Sequence, residues 1–195
     1  ATWTVEGLDA PVEIVRNNAD VPHIFGKSDH DVFFALGLAH AQDRLWQMTV
    51  LRRTAQGRLS EVFGPATLRT DELMRRLDIY GAAEASVAVQ DPATTEALAA
   101  YAAGVNAWIR VVNEQALGRG APEFWFFDAD IAYWQPADSL AILKLMAVQM
   151  SDRLETEVLR ARLSILSRDW AEDLLPMVPG PAVGALPPYA NLMPP

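Results

Sequence analysis

The 195-residue chain contains no cysteine, which excludes disulfides, thiolate nucleophiles and cysteine-ligated metal centres at once. Imidazole is nearly as scarce. His23, His30 and His40 are the whole supply, too little for a multi-histidine metal site, and no G-x-S-x-G or other triad motif is present. Positive charge is also in deficit, with 16 lysines and arginines against 25 acidic residues and a net charge of −9. That field opposes a phosphate backbone, so nucleic acid is excluded as a partner. No apolar run approaches the roughly 20 residues that span a bilayer. The opening ATWTVEGLDA has neither a basic start nor an apolar signal core. The expectation is a chain without a membrane span, from which any export signal has already been removed.

What is present is a globular composition, 51% hydrophobic and 21% charged, enough for one domain or a large part of a bigger one. Apolar and polar residues alternate from Val12 to Arg16, break at Asn17-Asn18-Ala19-Asp20, and resume at His23-Ile24-Phe25, which predicts a hairpin. Ser28 then precedes Asp29 and Asp31 as an N-cap with carboxylates in the first turn. Val32, Leu36, Ala39, Trp46 and Val50 recur at helical spacing, predicting a helix from about 29 to about 55 that ends near Gly57.

A shorter helix is expected in LRTDELMRRLDIYG, and a third opens at Asp91 as cap with Pro92 at the first helical position. From Pro136 the pattern reads as one helical run of ~30 residues, the longest element expected. The tail from Pro176 holds seven of the 13 prolines and no charge, so it cannot continue the helix and reads as a surface-wrapping or linker segment. The organisation expected is a body over 1–175 and a proline-rich tail over 176–195. The fold class is α+β, mostly helical with a short β hairpin near the N-terminus.

Each candidate site has a plain competitor. A lone histidine on a helix or strand, as His40 and His23 are read, is more often surface or capped than catalytic. Arg44, Arg52, Arg53 and Arg58 could gather an anion, but Asp43 and Glu61 lie close enough in sequence to pair with them, and a salt-linked helix face is expected. GRLSEVFG lacks the phosphate-loop glycine pattern. Met146, Met150, Arg153 and Glu157 fall at i, i+4, i+7 and i+11, and on a continuous helix Glu157 lies roughly 10 Å along the axis from Met150. A methionine stripe is usually core, and Glu155 and Glu157 are more often solvated or paired with Arg160 to Arg162 than bound to metal. From residues alone, a non-catalytic helical binding protein stays open.

The runs VEIVRNNADVPHIFG, ALGLAHAQDRLWQM, RRTAQGRLSEVFG, YAAGVNAWI and WQPADSLAILKLMA, in that order and spacing, resemble the smaller (α) subunit of the penicillin acylase family of N-terminal-nucleophile amidases. The resemblance covers nearly all of the chain to about residue 168. It implies a precursor that cuts itself into an α chain, a spacer and a β chain, together forming an αββα sandwich. The β chain begins with a serine whose own α-amino group, with an ordinary pKa of about 7.7 to 8.0, serves as base. Under that resemblance no catalytic residue lies in this chain. The expected assembly is an obligate heterodimer with the β chain, periplasmic or secreted, and the tail lies where the excised spacer began.

The resemblance further implies that Met146, Gln149 and Met150 wall the acyl pocket. Penicillin G acylases carry an arginine and then an aromatic residue at the positions of Gln149 and Met150, and the departure here leaves room for a fatty acyl chain. The substrates implied are N-acyl homoserine lactones, with β-lactam antibiotics, penicillins and cephalosporins, as the alternative or a second activity. A structural calcium shared with the β chain is expected at Glu157, with Glu155 as the alternative. One carboxylate cannot supply the six to eight oxygens calcium takes.

Overall fold

The computed structural model describes residues 2–115, 120–127, 131–151, 153–167 and 174–175. The expected proline-rich tail lies outside the described residues. By contacts the chain forms two compact units, 1–147 and 148–195.

The first unit opens with the expected hairpin. Strands β1 (Glu13–Arg16) and β2 (Pro22–Phe25) run antiparallel with Ile14 opposite Ile24 and Val15 opposite His23. The turn is set by Asn17, whose side-chain oxygen accepts from the Ala19 and Val21 amides at 2.9 and 3.0 Å, an Asx arrangement that mimics a backbone turn. Arg16 then grips the Asp43 carboxylate with both terminal nitrogens, at 3.0 and 2.7 Å, fastening the hairpin to the first helix.

That helix, α1 (Asp29–Ala55), starts and stops as the sequence predicts. The Ser28 hydroxyl accepts from the Asp31 amide, and Gly57 beyond the end takes the left-handed conformation. Arg44 leaves helical backbone angles, so α1 is two helical pieces across a kink. Next come α2 (Ser60–Phe63), a 3-10 turn (Gly64–Thr67), α3 (Leu68–Leu77) and α4 (Ile79–Val87). The short helix expected after Gly64-Pro65 is thus two helices, parted at Asp78, which adopts a positive φ of 50°. Buried Asp71 accepts from the Leu59 and Ser60 amides, each at 2.8 Å, satisfying donors at the start of α2.

Helix α5 (Pro92–Gln115) is capped by Asp91, whose carboxylate accepts from the Thr94 amide and hydroxyl. It crosses α1 at two glycines. A Cβ on Gly37 would overlap the Tyr101 carbonyl, and one on Gly104 would overlap the Phe34 carbonyl, so the two backbones touch where side chains would hold them apart. Around this crossing the core gathers Leu45, Met48, Val105, Ile109, Phe124 and Trp134. A smaller cluster of Phe34, Leu38 and Ala107 packs under Val5, Leu8 and Ile14.

After the short α6 (Glu123–Phe126) comes α7 (Pro136–Gln149), and the second unit contains α8 (Arg153–Leu166). The single run of some 30 residues expected from Pro136 is therefore corrected to two helices. The Ser151 amide reaches back only to the Val148 carbonyl at 3.1 Å, the tightened bond of a closing turn. Apolar periodicity carries on through the break and does not mark it. The stripe of Met146, Met150, Arg153 and Glu157 is cut between its second and third members, and the 10 Å spacing that assumed a continuous helix does not apply.

Candidate functional site

Arg52 and Arg53 of α1, and Arg58 beyond its end, are bound into the scaffold. Arg53 meets Glu61 at 2.7 Å, and Arg58 meets the same carboxylate at 2.7 and 2.9 Å, which holds Glu61 below the usual carboxylate range through Arg58 first and then Arg53. Arg52 finds a partner 86 residues away in Asp138, 3.4 Å distant, and also donates to the Ala132 and Tyr133 carbonyls at 3.2 Å. Its guanidinium lies 5.3 Å from the Trp134 ring centre. Asp138 in turn accepts from the Tyr80 hydroxyl at 2.8 Å and from the Gln135 amide at 2.7 Å, the latter the back-reaching half of a capping box at the start of α7. The expected salt-linked face is present for Arg53 and Arg58, while Asp43 pairs with the hairpin's Arg16.

Between α1, α5 and the start of α7 lies a cleft of about 450 Å³. Three helical stripes of like spacing form its walls: Phe33, Leu36 and His40 on α1, Thr94, Leu98 and Tyr101 on α5, and Ser139 with Ile142 on α7. Met48 and Trp134 are the most buried lining residues. Each polar lining side chain makes at least one bond, to another lining residue or to a cap. His40 Nδ1 lies 3.0 Å from the Tyr101 hydroxyl, the Trp134 indole donates to Ser139 at 3.0 Å, and the Thr94 hydroxyl donates to Asp91 at 2.6 Å. Partial burial lowers the His40 pKa against a raising pull from Asp43, and burial pushes the Tyr101 hydroxyl up to about 12. At neutral pH the pair is uncharged.

Sequence reasoning reads His40 as scaffold and points to α7 residues further on. Met146 is 42% exposed and Met150, just past the helix, is 80% exposed; Gln149 is exposed as well. None of the three lines the cleft. Met146 does continue the cleft's α7 wall, because Ser139, Ile142 and Met146 fall at i, i+3 and i+7. On α8, Glu155 is exposed, and the Glu157 side chain, 61% exposed, contacts Arg160 at 3.7 Å. Among the described residues, ligand atoms of Asp9, His30 and Asp31 come within 4.8 Å of one another, but Asp31 is already occupied by the Ser28 hydroxyl and the Asp9 amide. No helix among the described residues is long and apolar enough to cross a membrane.

These helices and their crossing belong to a known class of amidase chains. The penicillin amidase family matches residues 11–186, and this chain is a member of that family. Similar proteins include the penicillin acylase 2 proenzyme of Pseudomonas sp. strain SE83, 33% identical over 189 residues, 91% of this chain and 23% of that protein. The acyl-homoserine lactone acylase QuiP of Pseudomonas aeruginosa is 33% identical over 180 residues, 90% of this chain and 20% of that one. The chain thus spans about a fifth of the length of these relatives. A solved structure behaves differently: a chain of the thermostable penicillin G acylase from Alcaligenes faecalis superposes with a TM-score of 0.70 at 28% identity, covering 88% of this chain and 98% of that one.

Proposed function

We propose that this chain is the α subunit of an acylase that hydrolyses the amide bond of N-acyl homoserine lactones, of β-lactam antibiotics, or of both, through the N-terminal serine of a separate β chain. The observation that supports the subunit reading most is the contrast in coverage. The chain matches about a fifth of a proenzyme but nearly all of one solved acylase chain. The lactone reading is supported by relatives named acyl-homoserine lactone acylases, and by Gln149 and Met150, which lack the arginine and aromatic expected for a penicillin G preference. A β-lactam acylase with little lactone activity is the second reading, favoured by the penicillin acylase relatives.

In this mechanism the β-chain serine attacks the acyl carbon, its own amino group takes the hydroxyl proton, and fixed donors hold the oxyanion. The amine leaves with a proton, and water clears the acyl-enzyme. This chain contributes walls and bracing. Met146, Gln149 and Met150 stand exposed at the end of α7 and just beyond it, free to line an acyl pocket completed by the β chain, and flexible thioethers suit acyl chains of varied shape. Calcium fits in part: Glu157 offers an exposed carboxylate whose contact to Arg160 is long, with Glu155 as the alternative and the remaining oxygens coming from the β chain. Bound there, it would act structurally, tying the two chains together. The enzyme would act in the periplasm or after secretion. Co-expression with the rest of the precursor, followed by a panel of acyl lactones and β-lactams, tests the activity. A processed heterodimer that cleaves neither class would refute it.

A further inference from the structure

The cleft between α1, α5 and α7 has no role in the proposed catalytic cycle. We infer that it receives the distal part of a long N-acyl chain whose proximal part lies against Met146, an inference that rests on the proposed acylase activity. The geometry is continuous along α7. Ser139 and Ile142 form the cleft wall, and Met146, exposed at 42%, follows one turn later on the same stripe, about 6 Å along the axis. An alkyl chain lying over Met146 and directed toward the start of α7 enters the cleft at Ile142.

The chemistry of the walls selects hydrocarbon. Phe33, Leu36, Ala97, Leu98 and Ile142 present carbon, and His40, Tyr101, Thr94 and Ser139 are committed to hydrogen bonds with one another, Trp134 or Asp91. Among the described residues, no aspartate, glutamate, lysine or arginine lines the cavity to recognise a carboxylate or an ammonium. The volume of about 450 Å³ falls within the range of pockets that enclose small ligands. A polar or aryl-acetyl substrate reaching only Met146 would leave the cleft unused, whereas each methylene of a longer chain placed in it adds roughly fourfold in affinity.

The test uses the processed two-chain enzyme and kcat/KM for N-hexanoyl, N-decanoyl and N-dodecanoyl homoserine lactone. Ala97→Trp, at a half-buried wall position, fills the cleft and should lower the decanoyl-to-hexanoyl ratio at least tenfold. Ile142→Ala enlarges it and should raise the dodecanoyl-to-decanoyl ratio, and this variant decides the matter if Ala97→Trp yields no active enzyme. An unchanged chain-length profile overturns the inference, as it would if a segment of the remaining polypeptide fills the cleft. An enzyme that turns over no acyl lactone at all overturns the proposed lactone activity instead, so the two failures are distinguishable.

Discussion

Arg52 and Asp138, 86 residues apart in sequence, face each other at 3.4 Å with side chains only 7% and 1% exposed. The carboxylate is also held by Tyr80 and by the Gln135 amide just before α7, so this pair joins α1, α4 and the helix that carries Met146. Removing one member leaves a buried charge without its counterion. Asp138→Ala should cost on the order of 3–5 kcal/mol of unfolding free energy in urea, and an Arg52→Met, Asp138→Leu double variant should recover most of that loss. Equal stability of Asp138→Ala and the parent would show the pair to be incidental.

The α1–α5 crossing makes a steric prediction. Gly104→Ala places a methyl group against the Phe34 carbonyl and the Leu38 amide, both backbone atoms that cannot swing aside. Destabilisation of about 1–3 kcal/mol or more is expected, visible as a lower Tm. Gly64→Ala is the control. A methyl group added there would meet nothing within 4 Å, but φ of 72° and ψ of −161° are glycine's own region, so a backbone cost of about 1–3 kcal/mol should appear with no clash beside it.

Acid should weaken the first unit through Asp71. Burial alone would raise its pKa, but hydrogen bonds from Ser60 and Leu59 outweigh that and hold it below the ordinary 3.8. A group depressed in the folded state adds stability above its unfolded pKa and loses it as pH falls through the folded value. The contribution is therefore full at neutral pH and disappears progressively below about pH 4. Asp71→Asn should flatten the acid limb of a stability-against-pH curve, and an unaltered limb would assign the acid sensitivity elsewhere.

Much of this architecture is legible in the residues. Asn17 to Asp20 mark the hairpin turn, and Ser28, Asp91 and Pro92 mark helix starts that the structure reproduces. The breaks at Asp78 and after Met150 are hidden because apolar periodicity runs across both, and a local change in hydrogen bonding leaves no trace in it. Sequence distance assigns Arg52 to near neighbours, since only those are visible along the chain, whereas Asp138 arrives through the fold. The cleft has a faint signal, stripes spaced i, i+3 or i+4, i+7 on separate helices. Each alone resembles ordinary core, and only packing shows that they face a common space.

Met146 supplies a functional prediction. A bulky replacement such as Met146→Trp at this exposed position should alter acyl-length preference in the processed enzyme at least tenfold while Tm moves by only a few degrees. A large fall in Tm with unchanged specificity would place Met146 in a structural role.

Under the proposed function this chain works only with a catalytic partner. The most direct measurement is purification of the product of the full precursor gene, with mass and N-terminal sequence of every copurifying chain and hydrolysis of N-decanoyl homoserine lactone assayed before and after replacement of the companion's first residue by alanine. The predicted result is a larger companion beginning with serine, and activity abolished by that replacement. A single species with no companion, or activity that survives the replacement, would contradict it.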